Sequence, residues 1–191
     1  KLTFNVANDF EYLGVINDVP MTLIARPTMP ANNYKELAIW LQQNKGKINL
    51  GNAGQGSASH LCGLLFQSAL QIDMTTVPYK GTVPAITDLI GGQVPVAFDT
   101  LDTLLPQHEG GKLRILASSG AQRSSFAKDV PTYRESGLDL VATGWNAFFA
   151  PAALPREQVQ RLSAAIRDVM NDPDTRRRFA DAKMTPVAST A

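Results

Sequence analysis

Apolar residues along this chain follow two rhythms, and the rhythm changes at points marked by glycine or proline. Met21-Thr22-Leu23-Ile24-Ala25 is a compact apolar run between Pro20 and Pro27 and reads as a strand. Residues 28–33 are a connection. Tyr34–Gln43 follows a helical period with Leu37, Ala38 and Leu41 inward, and stops at Asn44-Lys45-Gly46. Residues 48–66, INLGNAGQGSASHLCGLLF, predict a short strand, a loop holding Gly51, Gly54 and Gly56, and a helix with Leu61, Leu64 and Leu65 on one face. Ser57 and Ser59 stand where that helix begins, and either can cap it. Thr75–Pro78 is a strand ending in Tyr79-Lys80-Gly81. Residues 84–90 are a short helix closed by Gly91-Gly92, and residues 94–98 a strand with Asp99-Thr100 at its carboxyl end. A helical turn over 101–107 and a strand over 113–118 follow. In residues 129–136, DVPTYRES, a Pro-Thr pair feeds a short helix, and residues 140–142 and 146–149 read as strands flanking Gly144-Trp145. Residues 156–170 form an amphipathic helix and 173–182 a second one. Residues 1–17 show no period and read as loop with one short element.

Strands alternating with helices imply parallel pairing and right-handed crossovers, hence an α/β sandwich. In such sheets ligands lie beyond the carboxyl ends of strands, where helices begin. Three loops share that address: residues 51–59, 79–82 and 99–100. A helix start offers free N–H groups and partial positive charge, and glycines let an anion approach the backbone. A carboxylate or phosphate site is therefore expected there. The plainer alternative is a strand–helix turn that uses glycines for geometry and serines for capping.

Composition narrows the function classes. The 191 residues are 44% hydrophobic and 18% charged, enough for a normal core in one large domain or two small ones. A net charge of +1 makes no electrostatic case for nucleic acid. Arg176-Arg177-Arg178, near Asp172 and Asp174, reads as a solvated helix face. No apolar stretch is long enough to span a membrane. The single cysteine, Cys62, excludes an internal disulfide and a cysteine metal cluster, and reads as a small core residue. The chain opens on Lys1 without an initiator Met or a signal peptide, and is expected to be processed or trimmed.

Catalytic constellations are thin. His60 and His108 are far apart; the first reads as a polar boundary residue, the second as surface loop. Ser57 lies in GQGSAS, which lacks the second glycine of a nucleophile elbow, and no phosphate-loop or dinucleotide motif occurs. Asp99 and Asp102 lie three apart and can share one side of a turn, although capping explains Asp99 as well. Lys80 is either a ligand's charge partner or a solvated turn lysine. No metal site and no cofactor is expected.

The order of motifs resembles a known family. PMTLIARPTMP (20–30), GQGSASHL (54–61), VPYKG (77–81), DLIGGQV (88–94), Asp99, Gly111-Lys112-Leu113, Arg123-Ser124, Val130-Pro131-Thr132, Glu135-Ser136-Gly137 and Gly144-Trp145 through Ala150-Pro151 follow one another as in the tripartite tricarboxylate transporter receptors, the Bug/TctC-type periplasmic solute-binding proteins. The resemblance covers nearly the whole chain. It implies a type II periplasmic-binding-protein-like fold, a three-layer sandwich with a mostly parallel sheet, in which one lobe is complete and part of a second is present. Residues 1–20 would be a remnant of the first lobe, 21–143 the complete ligand-binding second lobe, and 144–191 a helical return into the first. Family members carry further residues before the position of Lys1, including a loop that supplies half the ligand site.

The implied function is capture of a small organic carboxylate in an interdomain cleft, for delivery to the membrane permease subunits of the transporter. The implied location is the periplasm, and the implied state of the full-length protein is a monomer. Carried over by position, the ligand-facing elements are Gly56, Ser57, Ala58 and Ser59, then Lys80 and Gly81, then Asp99. Asp99 would accept from a ligand hydroxyl or ammonium, or else orient the Ser57 loop. Two other classes compete. One is the ligand-sensing effector module of a LysR-like regulator, which shares the two-lobed design; no helix-turn-helix is present. The other is a small enzyme using Ser57 with His60, which lie too close along one helix start for general-base work.

Overall fold

The computed structural model describes residues 3–189. Its chain divides into two compact units, one formed by Pro20–Gly144 and the other by residues 1–19 with 145–191. The strand β1, Phe10–Ala25, contributes to both.

In the unit 20–144, β2 (Asn49–Asn52), β3 (Thr75–Pro78), β4 (Val96–Thr100) and β5 (Arg114–Ser118) join the later part of β1 in the order β3-β2-β4-β1-β5. β2 pairs in parallel with β3 and β4, with Leu50 opposite Thr76 and Val96. β1 lies antiparallel between β4 and β5, with Thr22 opposite Asp99 and Ser118. The sheet is therefore mixed: β2 to β5 run one way and β1 alone runs against them.

Alternation along the strands sends successive side chains to opposite faces. Leu23, Leu50, Phe98 and Leu116 meet Leu37 and Leu41 of α1 (Tyr34–Gln43) and Cys62 and Phe66 of α2 (Ala58–Leu70). Ile24, Ala97 and Ile115 meet Leu89 of α3 (Thr82–Ile90) and Leu101, Leu104 and Leu105 of α4 (Leu101–Glu109). Helices thus cover both faces, giving the three-layer sandwich. Phe66 is fully buried, with ring centroids 5.2 Å from Phe98 and 5.6 Å from Tyr133.

Several sequence-based expectations change. Leu61, Leu64 and Leu65 are 53%, 44% and 51% exposed, so the helix they mark is buried through its other side, Ser59, Cys62, Gly63 and Phe66. A Cβ on Gly63 would sit 3.0 Å from Leu50 Cδ2: the smallest side chain faces the sheet because the helix lies close to it. Residues 10–17 are the first half of a sixteen-residue strand, not a loop with a short element. Pro20 stands inside it one residue before Met21, where the pairing with β4 begins. Residues 129–136 form turns in place of a helix, anchored by the bridge between Ser118 and Thr132. Residues 140–142 are irregular, and the later strand runs unbroken as β6, Thr143–Pro151. His108 is on α4, not in a loop, and its Nδ1 accepts from the Ile115 N–H at 3.3 Å.

In the second unit, β1 pairs with β6 and, through Asn17 and Asp18, antiparallel with β7 (Thr185–Pro186). The helix α5 (Arg156–Asn171) packs Val159 and Ile166 with Leu13 and Ala150, and its buried Ser163 hydroxyl donates to the Leu13 carbonyl at 2.7 Å. Asp172 caps α6 (Pro173–Asp181), whose Arg177 and Arg178 pair with Asp174.

Candidate functional site

Because β2, β3 and β4 are parallel, their carboxyl ends leave the same edge of the sheet, and each feeds directly into a helix. The N-termini of α2, α3 and α4 are therefore gathered at one edge of the unit 20–144. Charge and hydrogen-bonding capacity at that edge follow from the helix starts.

At the first of these, Ser57 is the N-cap of α2, its Oγ accepting from the His60 N–H at 3.2 Å. Ser57 Oγ lies 3.0 Å from Ser59 Oγ, which accepts from the Ala53 N–H at 2.9 Å. Both serines thus have structural partners, and one cap is sufficient. Among the described residues, the N–H groups of Ala58 and Ser59 have no acceptor. His60 turns Nδ1 onto the Gly56 N–H at 3.2 Å, and Ser57 meets only its backbone N–H, so no serine–imidazole pair forms. The loop before the helix needs its glycines. Gly54 has φ +137°, and a Cβ there would lie 3.0 Å from the Tyr79 carbonyl oxygen; Gly56 has φ +80° with open space around it.

The second start is held against the first. Tyr79 N–H donates to the Asn52 carbonyl at 3.0 Å and Gly81 N–H to the Ala53 carbonyl at 2.9 Å, so the VPYKG turn extends the β2–β3 ladder. Tyr79 OH donates to Asp88 Oδ2 at 2.9 Å, tying the turn to α3. Burial, with the Asp88 hydrogen bond and charge, raises the Tyr79 pKa. Gly81, at φ +113°, is the N-cap of α3 and has no side chain to offer its N–H groups; those of Thr82 and Val83 have no acceptor among the described residues. Lys80 is exposed, and no described carboxylate is within ion-pair distance of it.

At the third, Asp99 is 5% exposed at the end of β4. Its Oδ1 accepts from the Thr100 N–H at 2.8 Å, while Oδ2 is buried without a well-formed hydrogen bond among the described residues. Burial raises its pKa, the Thr82 side chain and the Thr100 N–H work against that, and the charge of Asp102 adds to it. Asp102 Oδ1 is likewise buried and unpartnered. The Asp99 carboxyl group therefore sits between the start of α4, through Thr100, and the start of α3, through Thr82.

The fold brings Gly56, Ser57, Ala58, Ser59, Lys80, Gly81 and Asp99 to this one edge. Asn52 and Thr82 lie in the expected loops 51–59 and 79–82, but sequence reasoning did not single them out. Asn52 is 2% exposed, its Oδ1 accepts from the Gly54 N–H at 3.0 Å, and its Nδ2 has no partner among the described residues. A polar residue at the end of a buried strand, just before Ala53-Gly54, was the available signal. Among the described residues no three His, Cys, Asp or Glu side chains are grouped to hold a metal ion, and no helix is long and apolar enough to cross a membrane. Cys62 lies in the core, burial pushing its thiol pKa up to about 12.

Comparison with known proteins places the chain in a family. The family model described as Tripartite tricarboxylate transporter family receptor matches residues 1–191. A protein of Agrobacterium vitis, named for the TAR-I ttuE-ttuC' intergenic region, is 36% identical over 98% of this chain and 55% of its own length. The solved structure of the periplasmic binding protein BugD is 38% identical, with a TM-score of 0.86 over 95% of this chain and 61% of that one. MatC from Rhodopseudomonas palustris, solved with malate, is 31% identical, with a TM-score of 0.87 over 96% of this chain and 63% of that one. R. palustris Rpa4515, solved with adipate, is 27% identical, with a TM-score of 0.93 over all of this chain and 64% of that one. The chain thus spans a little over half the length of that curated relative and under two thirds of these structures. By the family match over its full length and by these relatives, the chain belongs to the tripartite tricarboxylate transporter receptor family.

Proposed function

We propose that this chain is part of a periplasmic receptor that binds a small organic carboxylate and presents it to the membrane permease subunits of a tripartite tricarboxylate-type transporter. The observation that carries this reading is the gathering of three helix N-termini at one sheet edge, with backbone N–H groups of Ala58, Ser59, Thr82 and Val83 left without acceptors. Such groups suit a carboxylate, which can take several N–H donors at once and gains from the helix dipoles. Gly56, Ser57, Ala58 and Ser59 would hold one carboxylate group, with Lys80 and Gly81 adding charge and backbone access. Asp99 would contact a polar substituent. Malate and adipate in the two R. palustris structures support a carboxylate as the ligand class. The reading needs no bond to be made or broken, and it assigns the site the role of holding and releasing.

Titration of the isotope-labelled chain with succinate, malate, adipate and citrate, followed by amide chemical shifts, tests this. Saturable movement of the amides of residues 56–59 and 81–83 by at least one compound is expected, weakened by Ser57→Ala. Unmoved amides with all four at millimolar concentration would sink the proposal.

A further inference from the structure

We propose that the outward face of α2, made by Leu61, Leu64 and Leu65, is the surface through which this receptor docks into an apolar groove on the permease's periplasmic side. This rests on the receptor reading above and names the contact that delivery requires. The three leucines are each about half exposed, at the i, i+3 and i+4 spacing that lays one helix face into a groove. Exposed leucines scattered singly are ordinary, but three together on one helix form a patch. No charge on the helix offsets it. The 13 residues of α2 include no Asp, Glu, Lys or Arg, whereas among the described residues each of the other five helices carries at least one. Its remaining outward positions, Ala58, Ser68 and Ala69, are small and uncharged. The side facing the sheet is already filled by Cys62, Gly63 and Phe66, so the leucines are not needed for the core.

Position, charge and area choose the occupant. Leu61 lies in the first turn of α2, its N–H donating to the Ser57 carbonyl at 3.0 Å, in the same turn as the Ala58 and Ser59 N–H groups. A ligand handed over from that edge passes directly into the permease, so the permease mouth lies against the edge. The surface that adjoins it there is the leucine face. A bilayer fits this face poorly, because helices that lie on membranes carry Lys or Arg along their polar side and α2 has neither. A second copy of the chain fits poorly as well. Three half-exposed leucines present about 300 Å² of apolar surface. Two copies face to face would then bury about 600 Å², below the roughly 1,000 Å² of a stable pair. A small apolar contact suits a receptor that must leave the permease after each delivery.

The test measures the dissociation constant between the chain and the permease subunits held in lipid nanodiscs, with malate present. Leu64→Glu combined with Leu65→Lys breaks the stripe and leaves the net charge unchanged. Leu162→Glu combined with Val169→Lys does the same to exposed apolar residues of α5 and serves as the control. The unsubstituted chain is expected to bind saturably, the α2 pair to bind about 10-fold more weakly or worse, and the α5 pair to stay within about twofold. Malate-induced amide shifts at residues 56–59 are expected to persist in the α2 pair, which separates docking from ligand binding. If that pair disturbs the fold, Leu64→Gln alone carries the comparison, with a loss of about threefold expected. Docking that the α2 substitutions leave unchanged overturns the inference. So does equal binding to nanodiscs without permease, which makes a bilayer the occupant, or a dimer in sedimentation that the α2 pair dissolves, which makes it a second copy. No docking by the unsubstituted chain, with the malate shifts intact, overturns the inference and leaves the carboxylate reading standing. Silent amides as well overturn both.

Discussion

A buried carboxylate with an oxygen lacking a well-formed hydrogen bond should cost the protein stability, and Asp99→Asn measures that cost. The carboxylate is almost wholly buried, keeps one hydrogen bond through Oδ1 and leaves Oδ2 without a well-formed one. Asparagine has the same shape, retains the Thr100 bond and carries no charge. An unsatisfied buried acceptor costs about 1–3 kcal/mol, and more when charged, whereas a neutral amide loses less on leaving water. Asp99→Asn is therefore expected to stabilise the chain by about 1–2 kcal/mol at neutral pH.

The pH dependence has a definite sign. Burial raises the pKa of Asp99 above its ordinary value of 3.8, so the folded protein holds that proton more tightly than the unfolded chain does. Stability from this group is then lost as pH rises from the ordinary value through the folded one. Asparagine does not titrate. The advantage of the variant should be near zero at the acid end of that window, grow as pH rises through it, and level off above. Urea unfolding of both proteins at matched pH values reads this directly, since the other carboxylates cancel in the difference. A variant less stable at neutral pH, or a difference that does not change with pH, would refute the reasoning.

Three other outcomes follow from the packing and the caps. Phe66→Ala, at the centre of the aromatic cluster, should cost about 3–5 kcal/mol, while Leu65→Ser one position earlier should stay within about 0.5 kcal/mol, both by urea denaturation. Ser57→Ala removes the cap of α2 and should cost about 0.5–2 kcal/mol, seen as a shifted urea midpoint with unchanged slope. Glu135 accepts from the Thr132 N–H and from Arg123, and these bonds hold its pKa below the usual 4.5. Its contribution is present above that value and is lost as pH falls through the folded one, so Glu135→Gln and the parent should converge in stability on acidification.

Local chemistry in the chain was enough to place most of the elements. Ser57, one of the two serines expected to cap α2, accepts from its first turn, and Asn33 and Asp172, which were not singled out as caps, do the same for α1 and α6. Thr75–Pro78 and the glycine-marked loop after β2 were legible for the same reason. The convergence of three strand ends was legible too, because alternating strands and helices leave few topologies. The buried side of α2 was not. Leu61, Leu64 and Leu65 make a regular apolar stripe, yet the helix lies on Gly63, Cys62 and Phe66, a choice made by Leu50 and Phe98 on strands elsewhere in the chain.

The same division runs through β1 and the site. The strand Phe10–Ala25 has no single period because its partners change along its length, from β7 at Asn17 and Asp18 to β4 and β5 beyond Pro20. The identity of Asp99 could be read from the chain, but not that one oxygen has a full hydrogen bond and the other none that is well formed. That depends on Thr82 and Thr100 meeting it from the starts of two helices. The sequence alone determined most of the backbone: the main helices and the strands between them, the cap of α2 and the loops that share an edge. Tertiary structure decided which faces are buried and which polar atoms lack partners. Dihedral preference and capping act over a few residues, whereas burial and pairing are settled by groups far apart in the chain that only the folded sheet brings together.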